Sequence, residues 1–124
     1  MRPADFRRMV MALEGVIEGA HMGHPDFRVN NRIFATLHAD EKFGMVALTP
    51  EQQREFIAEH PGVFTPESGA WGRAGCTRVH LASVEEDVIG EALTLARRNA
   101  IQKTDAQRSK RKRSGRPSRP SAKR

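Results

Sequence analysis

Apolar positions recur along this chain in two rhythms. Phe6, Met9, Val10 and Leu13 fall at i, i+3, i+4 and i+7, one stripe of an α-helix, with Pro3 suited to its first turn and Gly15 to its end. The rhythm then changes. "FRVNNRIFATLH" holds two β-prone runs about Asn30-Asn31, and asparagine tolerates the left-handed backbone that a tight hairpin demands. A second turn at "ADEK", residues 39 to 42, leads into "FGMVAL" as a third strand. Thr49-Pro50-Glu51-Gln52 reads as a helix start, with a threonine cap, proline in the first turn and glutamine three residues after the cap. Phe56 and Ile57 anchor that helix, and Pro61-Gly62 ends it.

"VFTPESGAWGRAG" has few periodic apolar residues and reads as an irregular connection. Cys76 to Leu81 forms the last strand, and Ser83 with Glu86 suggests a capping box. Val88, Ile89, Ala92, Leu93, Ala96 and Ala100 then make the stripe of a long final helix. The order is helix, three strands, helix, strand, helix. It predicts an α+β domain: an antiparallel β-sheet with helices packed on one face. Strict alternation sorts Ile33, Ala35 and Leu37 from Arg32, Phe34, Thr36 and His38, and sorts Thr77, Val79 and Leu81 from Cys76, Arg78 and His80. The second set of each pair is expected on the open sheet face.

Charge divides the chain where the apolar pattern stops. Residues 1–102 hold 11 Lys+Arg against 14 Asp+Glu, whereas 103–124 hold 10 against 1, so the net +6 belongs to the C-terminal segment. That segment has no apolar residue but alanine, and a disordered tail over 103–124 is expected beside a folded domain over 1–102. The single cysteine, Cys76, excludes an internal disulfide and fits a reducing compartment. With no signal-peptide or membrane-length apolar run, the expected location is cytoplasmic.

No catalytic constellation stands out. His21 and His24 are spaced H-x-x-H but lie in a Gly- and Pro-containing loop without a completing ligand. Cys76 and His80, four apart on one strand, are about 13 Å apart and too distant for proton transfer. Glu85, Glu86, Asp87 and Glu91 read as a solvated helix face, and no phosphate loop is present. The expectation is a protein that is not an enzyme and uses no cofactor or metal.

The tail carries a different chemistry. Its ten cations can neutralise several phosphates of a nucleic acid, and six to eight contacts on duplex DNA would give a salt slope of log affinity of about −5 to −7. "RSGRP" at 113–117 looks like a loose AT-hook with its first arginine displaced by Ser114.

"LEGVIEGAHMGHPDFRVNNRIFATL" at 13–37, "LTPEQQREFIAEHPGVF" at 48–64, "WGRAGCTRVHL" at 71–81 and "EALTLARRNA" at 91–100 together resemble the MmcQ/YjbR family of small bacterial proteins, over nearly all of residues 4–101. The resemblance implies a frataxin-like (CyaY-like) fold with a double-wing arrangement of strands and a DNA-binding role. It carries over no catalytic residue. It aligns Phe27, Arg28 and Phe34 with the family's hairpin and Trp71 with the loop before its last strand; the basic tail departs from the usual short form.

The function expected is non-enzymatic DNA binding. Candidate contacts are Arg28, Arg32, Trp71, Arg73, Arg78 and His80 on the domain, and Lys110, Arg111, Lys112, Arg113, Arg116 and Arg119 in the tail. One rival is a protein- or small-ligand-binding module with an incidental tail. Another is a frataxin-like metal role using Asp5, Glu14 and Glu18.

Overall fold

Pro3 opens α1 (Pro3–Met11), where it has no N–H to lose and its fixed φ suits a first turn. The structure, a computed structural model, describes residues 1–114. Phe6 and Val10 on α1 are fully buried, and Gly15 takes a φ of +78° just beyond the helix. Two antiparallel hairpins follow: β1 (Ile17–His21) with β2 (His24–Val29), and β3 (Arg32–Leu37) with β4 (Phe43–Ala47). Asn30 and Asn31, with φ of 52° and 68°, make the two-residue turn from β2 to β3.

α2 (Pro50–Glu59) starts as expected: the Thr49 hydroxyl accepts from Gln52 N at 3.1 Å, and Thr49 N donates to Gln52 Oε1 at 3.0 Å. β5 (Phe64–Pro66), α3 (Gly69–Arg73), β6 (Cys76–His80) and α4 (Glu86–Ser114) complete the chain. All strands are antiparallel in one sheet ordered β1-β2-β3-β4-β6-β5. The helices cover one face, and between them and the sheet lie Phe6, Phe27, Phe34, Val46, Phe64, Val79, Ile89 and Leu93. The α+β class is as the sequence implied.

Three local expectations need correction. The connection before the last strand is not irregular: it holds edge strand β5 and the short helix α3. Edge strand β1, "IEGAH", was absent from the expected elements, because one exposed isoleucine among Glu, Gly, Ala and His carries almost no β-signal. Ser83 forms no capping box with Glu86, because residues 81–83 are a turn and α4 begins at Glu86. α4 itself runs on to Ser114, so the described part of 103–124 is helix. Residues 115–124 lie outside the described residues.

The alternation in β3 is also interrupted. Phe27 pairs with Ala35 but Arg28 pairs with Ile33, leaving Phe34 as an extra residue, a β-bulge. Phe34 and Ala35 both turn into the core, at 0% exposure, and the rows swap on either side. Phe34 therefore leaves the open row, and Ile33 joins it beside Arg28. Arg32 pairs with buried Val29 and falls on the helix side of the sheet.

Two glycines close the α3–β6 corner. A Cβ on Gly72 would lie 1.7 Å from Glu67 O; one on Gly75, at φ +117°, would lie 2.0 Å from Leu48 O. Backbone passes too close at both places for any side chain. Buried Gln53 on α2 pins the same corner: its Nε2 donates to Gly72 O at 3.0 Å, Cys76 O at 3.1 Å and Thr77 Oγ1 at 3.1 Å.

Candidate functional site

The β4–β6 register places Met45 beside Arg78, Phe43 beside His80 and Ala47 beside Cys76, all on the sheet face away from the helices. Arg78 and His80 therefore share the open face, as expected from alternation. They meet Phe43 and Glu67, which sequence spacing does not connect to them, and His38, which alternation also places on this face. The Arg78 guanidinium lies over the Phe43 ring, 5.1 Å from its centroid, and donates through Nη2 to Glu67 Oε1 at 3.0 Å. His38 Nε2 donates to the other Glu67 oxygen at 2.9 Å. The Phe43 ring stands edge-on to His80, with centroids 4.5 Å apart, and tilts against His38 at 5.9 Å. Phe43, His38 and Glu67 were missed as site residues. Glu67 reaches the patch only because β5 folds onto β6, a contact with no trace in local sequence.

Arg28 stands on the same face three strands away, about 14 Å by strand spacing. Its Nε and Nη2 donate to the two oxygens of buried Asp26 at 2.9 and 3.1 Å. The carboxylate holds the guanidinium's proton still more firmly than usual, chiefly through that hydrogen bond. Gly19 lies opposite Asp26 on β1, and a Cβ there would come within 2.9 Å of Asp26 Oδ1, so the pair lies across a glycine.

Both open-face arginines are thus neutralised by carboxylates. The patch is aromatic and polar, with little net charge. Cys76 borders it half-buried, and burial, with Glu67 adding repulsion, pushes its thiol pKa up.

The other candidates lie elsewhere. Trp71 and Arg73 belong to α3 rather than to a loop; both are exposed, Trp71 at 74%, so the indole does not plug the core. Arg32 lies on the helix side, in a groove against α4. Lys110 is exposed on α4, and positions 111, 112 and 113 continue the same helix. Arg116 and Arg119 lie outside the described residues, as does the Gly115–Pro117 part of the AT-hook-like stretch.

Of the acids proposed for a metal role, Asp5 and Glu18 are held by arginines. Arg2 and Arg8 bridge Asp5 at 3.3 Å each, with Arg2 keeping its carboxyl below the usual range, and Arg7 bridges Glu18 at 2.7 Å. His21 and His24 pair across the Met22-Gly23 turn of the first hairpin. Among the described residues no group of three or more His, Cys, Asp or Glu is arranged to hold a metal ion, and no helix is long and apolar enough to cross a membrane.

Comparison with known proteins bears on the domain and not on its basic extension. Among solved structures the fold is similar to that of Deinococcus radiodurans protein DR2400, a DUF419 domain, with a TM-score of 0.62 at 20% identity over 75% of this chain and 74% of that one. No curated protein matches. The family model YjbR matches residues 11–99, from the end of α1 to the last core turns of α4. The match spans the whole sheet, α2, α3 and the part of α4 up to residue 99, and on that ground the chain belongs to the YjbR family.

Proposed function

We propose that this protein binds nucleic acid, DNA in the first instance, through the basic end of α4, and that it acts by binding and not by catalysis. One observation carries the reading. α4 continues beyond the sheet through residues 103–114 as helix, and those twelve positions hold six Lys or Arg against one Asp. Every residue from Asp105 to Lys110 is exposed. A helix that carries these cations on a backbone already ordered and mounted on a folded domain loses less entropy on binding than a free tail.

The open sheet face has a different part. Because Arg28 and Arg78 already neutralise Asp26 and Glu67, they contribute little phosphate affinity, and Arg78 with Phe43 and His80 at most orients a ligand held by the helix. The residues that match the family stop at 99, so on this reading the electrostatic grip is an addition to the family domain.

The test is fluorescence anisotropy with a labelled duplex over a salt series. The full chain is compared with a variant carrying Lys110→Gln, Arg111→Gln, Lys112→Gln and Arg113→Gln. The full chain should give a slope of about −5 to −7, and the variant should lose about three to four units of it. An unchanged slope would reject the reading in favour of a module that binds protein or small ligands on its sheet face.

A further inference from the structure

We propose that the groove between the β2–β3 turn and α4 is an anion site that takes a phosphate group. It rests on the reading above for the source of that phosphate, a nucleic-acid backbone. The cavity measures about 370 Å³ and is lined by Asn30, Asn31, Arg32, Thr104, Gln107 and Arg108.

Its origin is legible in α4. The sheet-facing stripe Ile89, Ala92, Leu93, Ala96 and Ala100 is buried and apolar, and the next positions on that stripe are Thr104, Gln107 and Arg108. Where the stripe turns polar the helix no longer seals against the sheet. The β2–β3 turn reaches this point with Asn30 and Asn31 in left-handed conformation and Arg32 on the helix side. A polar gap is left where a core would otherwise continue.

The chemistry of the lining selects an anion. Two guanidiniums and three side-chain amides surround the cavity, and no carboxylate lines it. Arg32 forms no ion pair among the described residues, in contrast to Arg28 and Arg78. Arg108 has only Asp105, at 3.9 Å with both side chains well exposed, a contact of little strength. The Thr104 hydroxyl donates to Ala100 O at 2.7 Å, so the donors left for a ligand are the amides and the arginine forks. Paired arginine forks suit the tetrahedral oxygens of phosphate. A strand engaged by residues 110–113 is held within one to two helical turns of this groove.

Two measurements on the full chain test the site. In the first, ¹⁵N-labelled protein is titrated with inorganic phosphate and then pyrophosphate, with ionic strength held constant by NaCl. Saturable amide shifts are expected at residues 30–32 and 104–108, and their loss is expected in Arg32→Gln and in Arg108→Gln. No saturable shift there, or an undiminished one in both variants, overturns the site.

In the second, duplex anisotropy is read for the same variants beside Arg54→Gln, an exposed arginine on α2. Each groove variant should weaken binding about fivefold and reduce the salt slope by about one, with Arg54→Gln changing affinity less than about twofold. Saturable phosphate shifts with no duplex binding at all would reject the nucleic-acid reading and keep the groove, its source then a free phosphorylated molecule. Duplex binding undiminished in both variants, with no phosphate response, would reject the groove and leave the helix reading intact.

Discussion

Arg28, Arg32 and Arg78 look alike in the sequence, each on a β-strand near other cations, yet their surroundings give them three different roles. Arg28 compensates a carboxylate with no exposed surface. Removing it leaves Asp26 charged in a poor solvent, so Arg28→Met is expected to lower unfolding free energy by about 2 kcal/mol, below the ~3–5 kcal/mol of a fully buried pair because Arg28 is 37% exposed. Urea denaturation measures it, and a loss under about 0.5 kcal/mol would show the pair to be ornamental. Arg78 is fixed by Glu67 and the Phe43 ring, and only Arg32 is left to face an open groove. Cys76 is legible as a small strand residue, and its raised thiol pKa gives it a definite pH behaviour. Iodoacetamide should alkylate it more slowly than a free cysteine near neutral pH, with a rate still rising above the range where a free thiol has levelled off. The linkage sign agrees: the folded state favours the proton. The stability this contributes is intact below the ordinary thiol pKa and lost as pH rises through the folded value. A rate profile with its midpoint at or below the free-thiol value would contradict it.

At the scale of elements, long periodic segments declare themselves in the sequence and short ones do not. α1, α2 and the core of α4 each bury an apolar stripe at helical spacing, and the Asn30-Asn31 turn has few conformations open to it. By contrast β5 and α3 are three and five residues long, too short for either period to show. They exist because the corner around Gly72, Gly75 and Gln53 holds them. Gly75→Ala should be among the most damaging single changes, since it combines a disfavoured φ with a 2.0 Å approach to Leu48 O; a loss of at least about 3 kcal/mol or failure to fold is expected. Gln53→Leu, of similar size, leaves Gly72 O and Cys76 O without that donor and should cost about 2 kcal/mol by thermal or urea melting. Equal stability of Gln53→Leu and the parent would mean that α3 is held by packing alone.

For the whole molecule, a domain of net −3 carries a helical extension of opposite sign. The buried stripe of α4 ends at Ala100, with Ile101 only partly buried. Truncation after Gln102 should therefore change domain stability by less than about 1 kcal/mol in urea while removing most affinity for duplex DNA. A truncated chain that fails to fold would show that the helical extension belongs to the core. A truncated chain that binds DNA as before would move the interface onto the domain.

Much was decided by the sequence alone: the α+β class, the three long helices and the family resemblance. So was the separation of a mildly acidic domain from a basic end. Those features are local, set by side-chain period, turn chemistry and charge, and each can be read within a window of a few turns. Tertiary structure decided the rest. A single bulge at Phe34 reassigned the rows of β3, turning Phe34 into the core and Arg32 toward α4. The fold of β5 onto β6 brought Glu67 to Arg78 and His38, converting an expected cationic face into a neutral one. Which charges are paired depends on distances across strands that are far apart in sequence, and those distances exist only once the sheet is assembled.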